Sequence, residues 1–98
     1  MISWKELISY IEKLQELPNG GGTEVFFCYE GTEYCIVSYK GKCDIQKCMG
    51  PTFDGETMKY PVVKPFEYKS LTELGKAKDI GFSVEECWDR IKGFFFGA

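Results

Sequence analysis

Cys28, Cys35, Cys43, Cys48 and Cys87 are the side chains best suited to chemistry, because thiolates attack electrophiles and bind zinc. The chain has no histidine, which removes the commonest general base, proton shuttle and metal ligand. No partner base can be named for a cysteine nucleophile, and no C-x-x-C pair marks a zinc site. Ser3, Ser70 and Ser83 each stand three residues before a glutamate, the spacing of a helix cap, and none lies in a G-x-S-x-G turn. The stretch Asn19-Gly20-Gly21-Gly22-Thr23 is glycine-rich like a phosphate cradle, but it follows a helical pattern, precedes a strand pattern and lacks a Gly-Lys-Ser/Thr ending. It reads as a connector. Glu30 and Glu33 could pair as carboxylates, yet at a solvated hairpin tip nothing would separate their pKa values into acid and base.

The elements that would position these groups follow from hydrophobic period. Trp4, Leu7, Ile8, Ile11 and Leu14 form one stripe of a helix over residues 2–17, which Ser3 and Glu6 cap and Pro18 with its glycines ends. From Thr23 the period becomes two, predicting strands over residues 23–30, 33–40 and 43–49 joined by Gly31-Thr32 and Gly41-Lys42 as two-residue turns. Counting outward sets Glu30 opposite Glu33 and Lys40 opposite Cys43. One face then holds Val25, Phe27, Tyr29, Tyr34, Ile36 and Ile45; the other holds Phe26, Cys28, Cys35, Val37, Tyr39 and Cys48. Both are apolar, so helices are expected over one and the later segment or a second subunit over part of the other. This register sets Cys28, Cys35 and Cys48 side by side. Buried free thiols are the favoured reading, with a zinc cluster or a Cys28–Cys35 disulfide as alternatives.

Residues 50–66 contain Pro51, Pro61, Pro65 and Asp54-Gly55, a composition that favours an extended excursion, with a short edge strand over residues 57–60. Ser70 and Glu73 cap a short helix near residues 71–78. Ser83 and Glu86 cap a last one, in which Val84, Cys87, Trp88, Ile91, Phe94 and Phe95 recur at helical spacing. A helix cannot turn Phe94, Phe95 and Phe96 toward one core, so at least one ring belongs at the domain edge.

The whole is expected to be a single α+β domain over residues 1–98: an N-terminal helix, an antiparallel meander of three to four strands, a short helix and an amphipathic C-terminal helix. With 98 residues, 44% of them hydrophobic and 16% aromatic, the chain can bury one core but not two. Its net charge of −3 supplies no cationic field for nucleic acid, and its acids are too interrupted by lysines to imitate DNA. No stretch approaches the about 18 apolar residues of a membrane span, and the N-terminus lacks the pattern of a secretory signal. A cytoplasmic protein without metal, cofactor or membrane partner is the expectation, and the two apolar faces favour a homodimer.

Three stretches carry a resemblance: Phe27-Cys28-Tyr29-Glu30-Gly31-Thr32-Glu33-Tyr34-Cys35-Ile36, Tyr68-Lys69-Ser70-Leu71-Thr72-Glu73-Leu74, and Ile80-Gly81-Phe82-Ser83-Val84-Glu85-Glu86-Cys87-Trp88 running on to Asp89-Arg90-Ile91. Together they resemble small uncharacterised α+β proteins of Firmicute bacteria and their phages, over most of the chain outside residues 41–66. The shared positions are turns, caps and core residues, and no catalytic residue comes with them. What the resemblance implies is a class of biology, since short phage-borne proteins without active sites often bind and block a host enzyme.

The expectation is therefore a non-enzymatic protein-binding module, an inhibitor of a host defence protein carried by a phage or mobile element. Its contact surface would be the excursion, with Phe53, Asp54, Lys59, Tyr60, Lys64 and Phe66 as binding residues. The alternative is a binder that sequesters a small nucleotide-like ligand between aromatic rings, with Lys59 or Lys64 supplying charge.

Overall fold

Ser3 begins the first helix as its spacing predicts: its hydroxyl accepts a hydrogen bond from the Glu6 N–H at 3.1 Å, and α1 runs Trp4–Gln15. A computed structural model of the chain describes residues 2–18, 21–59, 61 and 63–97. Trp4, Leu7 and Ile11 are buried along one stripe of α1. The strands β1 (Thr23–Tyr29), β2 (Thr32–Tyr39) and β3 (Lys42–Lys47) follow as an antiparallel meander.

Both turns lie one residue earlier than the sequence suggests. Tyr29 pairs with Thr32 and Tyr39 with Lys42, so the turn residues are Glu30-Gly31 and Lys40-Gly41. Glu30 and Gly31 take positive φ, 50° and 80°, the signs of a type I′ turn, whose twist matches that of the flanking strands. Glycine thus occupies the second central position rather than the first. Cross-strand partners move by two residues, and a shift of two preserves the faces. Val25, Phe27, Tyr29, Tyr34, Ile36 and Ile45 are accordingly all buried on one face. Glu33 faces Cys28 instead of Glu30, which removes the expected opposition of like charges.

After β3 the chain forms a small separate ribbon, β4 (Thr52–Phe53) paired with β5 (Met58–Lys59). The sheet edge expected for residues 57–60 is taken instead by β6 (Phe66–Tyr68), which pairs with β3. Two short helices come next, α2 (Leu71–Lys76) and α3 (Val84–Cys87), capped by the hydroxyls of Ser70 and Ser83.

The amphipathic C-terminal helix does not form. After α3 comes one 3-10 turn, Trp88–Arg90, and then β7, Lys92–Gly97, which pairs antiparallel with β1. Gly93 takes φ 63° at a bulge in this pairing, a conformation that interrupts a helix and suits glycine. The aromatic run beyond it fits a strand, where alternation sends Phe94 and Phe96 to one face and Phe95 to the other. The result is a five-stranded sheet in the order β6-β3-β2-β1-β7.

The helices share one core with the inner face of the sheet, in which Leu7, Ile11, Leu74, Val84 and Trp88 meet Val25, Phe27 and Ile36. The Trp88 indole N–H donates to the Ile2 carbonyl at 2.7 Å, tying the start of α1 to the turn after α3. Trp4 packs on Trp88 with ring centroids 5.3 Å apart, and its own buried indole N–H meets no acceptor among the described residues. The polar Ser38 is satisfied on the same face by the Gln15 side-chain amide at 2.8 Å. No helix among the described residues is long and apolar enough to cross a membrane.

Candidate functional site

The ribbon is organised by one side chain. The Asp54 carboxylate accepts from the backbone N–H groups of Glu56 at 3.0 Å and Thr57 at 2.9 Å, closing a tight turn over Gly55. Its second oxygen meets the Lys59 ammonium at 3.2 Å. The Thr57 N–H, then that of Glu56 and then the lysine hold this carboxyl below its usual range. Turn and ion pair together fix the register in which Phe53 stands opposite Met58.

Opposite residues share a face of a ribbon, so the two apolar side chains form one patch. Phe53 is 66% exposed and Met58 55% exposed. Every residue from 50 to 59 is exposed, which sets the ribbon outside the core. An isolated two-stranded ribbon is marginal in water, so its order depends on the Asp54 contacts.

The structure brings Phe53, Asp54 and Lys59 together in the ribbon. Lys64 and Phe66 lie on the return to the sheet, both exposed, with Phe66 opposite Ile45 of β3. Among the described residues no hydrogen bond or ion pair joins them to the ribbon, and Tyr60 lies outside the described residues. Met58 was not singled out from the sequence, because only its pairing with Phe53 makes it part of a patch.

Counting outward from the turns predicts Cys28, Cys35 and Cys48 as direct cross-strand neighbours, whereas the observed register offsets them. Cys28, Cys35 and Cys48 share the outer sheet face, but Cys28 faces Glu33, the Cys48 N–H donates to the Glu33 carbonyl at 2.8 Å, and Cys35 stands between Phe26 and Gln46. All five cysteines are free, and among the described residues no group of three acids or thiols is placed to hold a metal. Burial pushes the Cys35 thiol up to about 12 and the Cys43 thiol to about 11, and raises Cys48 as well. These thiols are protonated at neutral pH.

A cleft of about 250 Å³ opens beside the β1–β2 turn, lined by Cys28, Tyr29, Glu30, Gly31, Arg90 and Lys92. The Arg90 guanidinium donates to the Cys87 sulfur at 3.2 Å and sits 5.9 Å from the centre of the Tyr29 ring. The hydrogen bond with Cys87, followed by burial, raises the Tyr29 phenol to about 12, which leaves it protonated and a poor base. A larger acidic cleft of about 640 Å³ lies between the start of α1 and α3, with Trp4, Trp88, Glu6, Glu85, Glu86 and Asp89 on its walls. The chain matches no family model, no curated protein and no solved structure.

Proposed function

We propose that this protein is a non-enzymatic binding module that captures another protein with its projecting ribbon. The observation that carries this reading is the pair Phe53 and Met58, adjacent across the ribbon and both more than half exposed. Large apolar side chains that meet on a surface mark a contact site, because water disfavours leaving them open. Aromatic and methionine side chains are also those most enriched at the centres of interfaces. Asp54 preorganises the patch, so little ordering entropy remains to oppose association.

The partner we infer is a host protein with an apolar pocket for Phe53 and Met58. Burial raises the Cys35 and Cys43 thiols, which suits side chains that serve as small packing groups in the sheet. The resemblance to phage-borne proteins supports a blocking role within this class, that of an inhibitor of a host defence enzyme. It is a cytoplasmic role on this reading.

Affinity capture from host lysate tests the assignment. The wild-type chain should retain a stoichiometric protein, and a Phe53→Ser/Met58→Ser double variant with unchanged circular dichroism should lose it at least about tenfold. Equal capture by the folded variant sinks the assignment of the surface. A co-purifying small molecule in native mass spectrometry, with no captured protein, would favour a sequestering function instead.

A further inference from the structure

The sheet ends differently on its two sides. At the β6 edge the pairing is only three residues long, Pro65 immediately precedes it, and Lys42 and Glu67 place charges across it at 3.8 Å. Short strands, prolines and charges are the means by which sheet edges discourage further pairing. At the β7 edge the strand has six residues, Lys92–Gly97, and its one charge and its one bulge both lie at the Lys92 end. Rings gather on both faces of this edge. Tyr10, 48% exposed, packs on Phe96, 39% exposed, at 5.3 Å on the helix side, and Phe95, 53% exposed, stacks on Phe26 at 5.2 Å on the other.

The residues Gly93-Phe94-Phe95-Phe96-Gly97 read the same in both directions. An antiparallel pairing about a two-fold axis through Phe95 sets Phe95 against its own copy. Phe94 then faces Phe96 of the second copy, and Gly93 faces Gly97. Opposite residues share a sheet face, so ring meets ring on both sides and both helical layers stay on the same side of the joined sheet. A strand from an unrelated protein would have no need of this self-complementarity, whereas an isologous dimer requires it.

We infer that β7 pairs with β7 of a second copy of this chain, joining the two five-stranded sheets edge to edge into one continuous sheet. The occupant of this edge is another copy of the chain, and the inference does not depend on the ribbon's role.

Sedimentation of the full chain over a dilution series tests it. The wild type should sediment as a species of twice the 11.2 kDa chain mass and dissociate on dilution. Phe95→Lys opposes two like charges on the axis and should raise the dimer dissociation constant by at least about tenfold. Phe53→Ser, on the ribbon, should leave that constant unchanged. Should Phe95→Lys fail to fold, hydrogen exchange of the wild type gives the same answer, because amides of β7 should exchange more slowly as concentration rises. A wild type that stays monomeric, a dimer that Phe95→Lys does not weaken, or β7 exchange independent of concentration overturns the inference.

Discussion

Asp54 is the residue on which the proposed contact surface turns, because its carboxylate accepts two backbone N–H groups and one ammonium within a ribbon that has no core of its own. Those partners favour the charged form, so its pKa is lower in the folded ribbon than in the unfolded chain. Its contribution to ribbon order is therefore complete above the unfolded carboxylate value of about 3.9 and disappears as pH falls through the lower folded value. An acid titration followed by NMR should show the Glu56 and Thr57 amides moving at a midpoint below that of an unstructured aspartate. Movement at the ordinary midpoint would mean that the carboxylate does not hold the turn. Cys35 shows the opposite consequence of environment, since burial disfavours its charged form and leaves the thiol as a small apolar packing group. The pair Trp4 and Trp88 illustrates the same contrast for neutral donors: both indoles are buried and in contact, but among the described residues only Trp88 meets an acceptor, the Ile2 carbonyl. Trp88 therefore contributes a hydrogen bond in addition to its buried ring area.

Among the elements, β7 depends most on a single backbone position. Gly93 takes φ 63° at the bulge opposite β1, a region where a Cβ costs about 1–2 kcal/mol. Gly93→Ala should lower unfolding stability by about that amount in urea titration, while Gly21→Ala, at ordinary φ and in open space, should change it little. Equal effects would mean that the bulge imposes no strain. This element was also the one least legible beforehand. Val84, Cys87, Trp88 and Ile91 keep helical spacing because α3 and the turn after it are helical, and periodicity alone does not reveal where such a pattern stops. The stop is signalled by Lys92-Gly93 followed by three phenylalanines, which the open edge of β1 recruits as a strand. The helix α1 was legible because stripe, cap and proline agree, and the sheet faces were legible because a two-residue error in register leaves a period of two intact. Partner identities were not, so the thiols expected directly opposite one another are offset by two residues along the strands. The site shows the same division. Phe53, Asp54 and Lys59 follow from the composition of the excursion, whereas Met58 and the separation of Lys64 and Phe66 depend on pairing that no local pattern encodes.

At the scale of the molecule, the two proposed surfaces occupy different ends of the sheet. The ribbon is tethered between β3 and β6, on the side of the sheet opposite β7. A dimer joined through β7 would present two ribbons at the two far ends of the joined sheet, each free to engage a partner. Against a partner immobilised at high density, the second engagement becomes intramolecular and strengthens retention by about a hundredfold or more, without any new contact. Against a soluble monovalent partner there is no second engagement to gain. Phe95→Lys should consequently shorten residence on a dense partner surface towards that of a single ribbon, while leaving affinity for the soluble partner unchanged. Surface-binding kinetics at two partner densities separate the cases. If wild type and Phe95→Lys dissociate at the same rate at high density, the ribbons do not act as a pair. If the variant also weakens binding to the soluble partner, Phe95 lies in the contact surface itself, and the ribbon and the β7 edge cannot be independent sites.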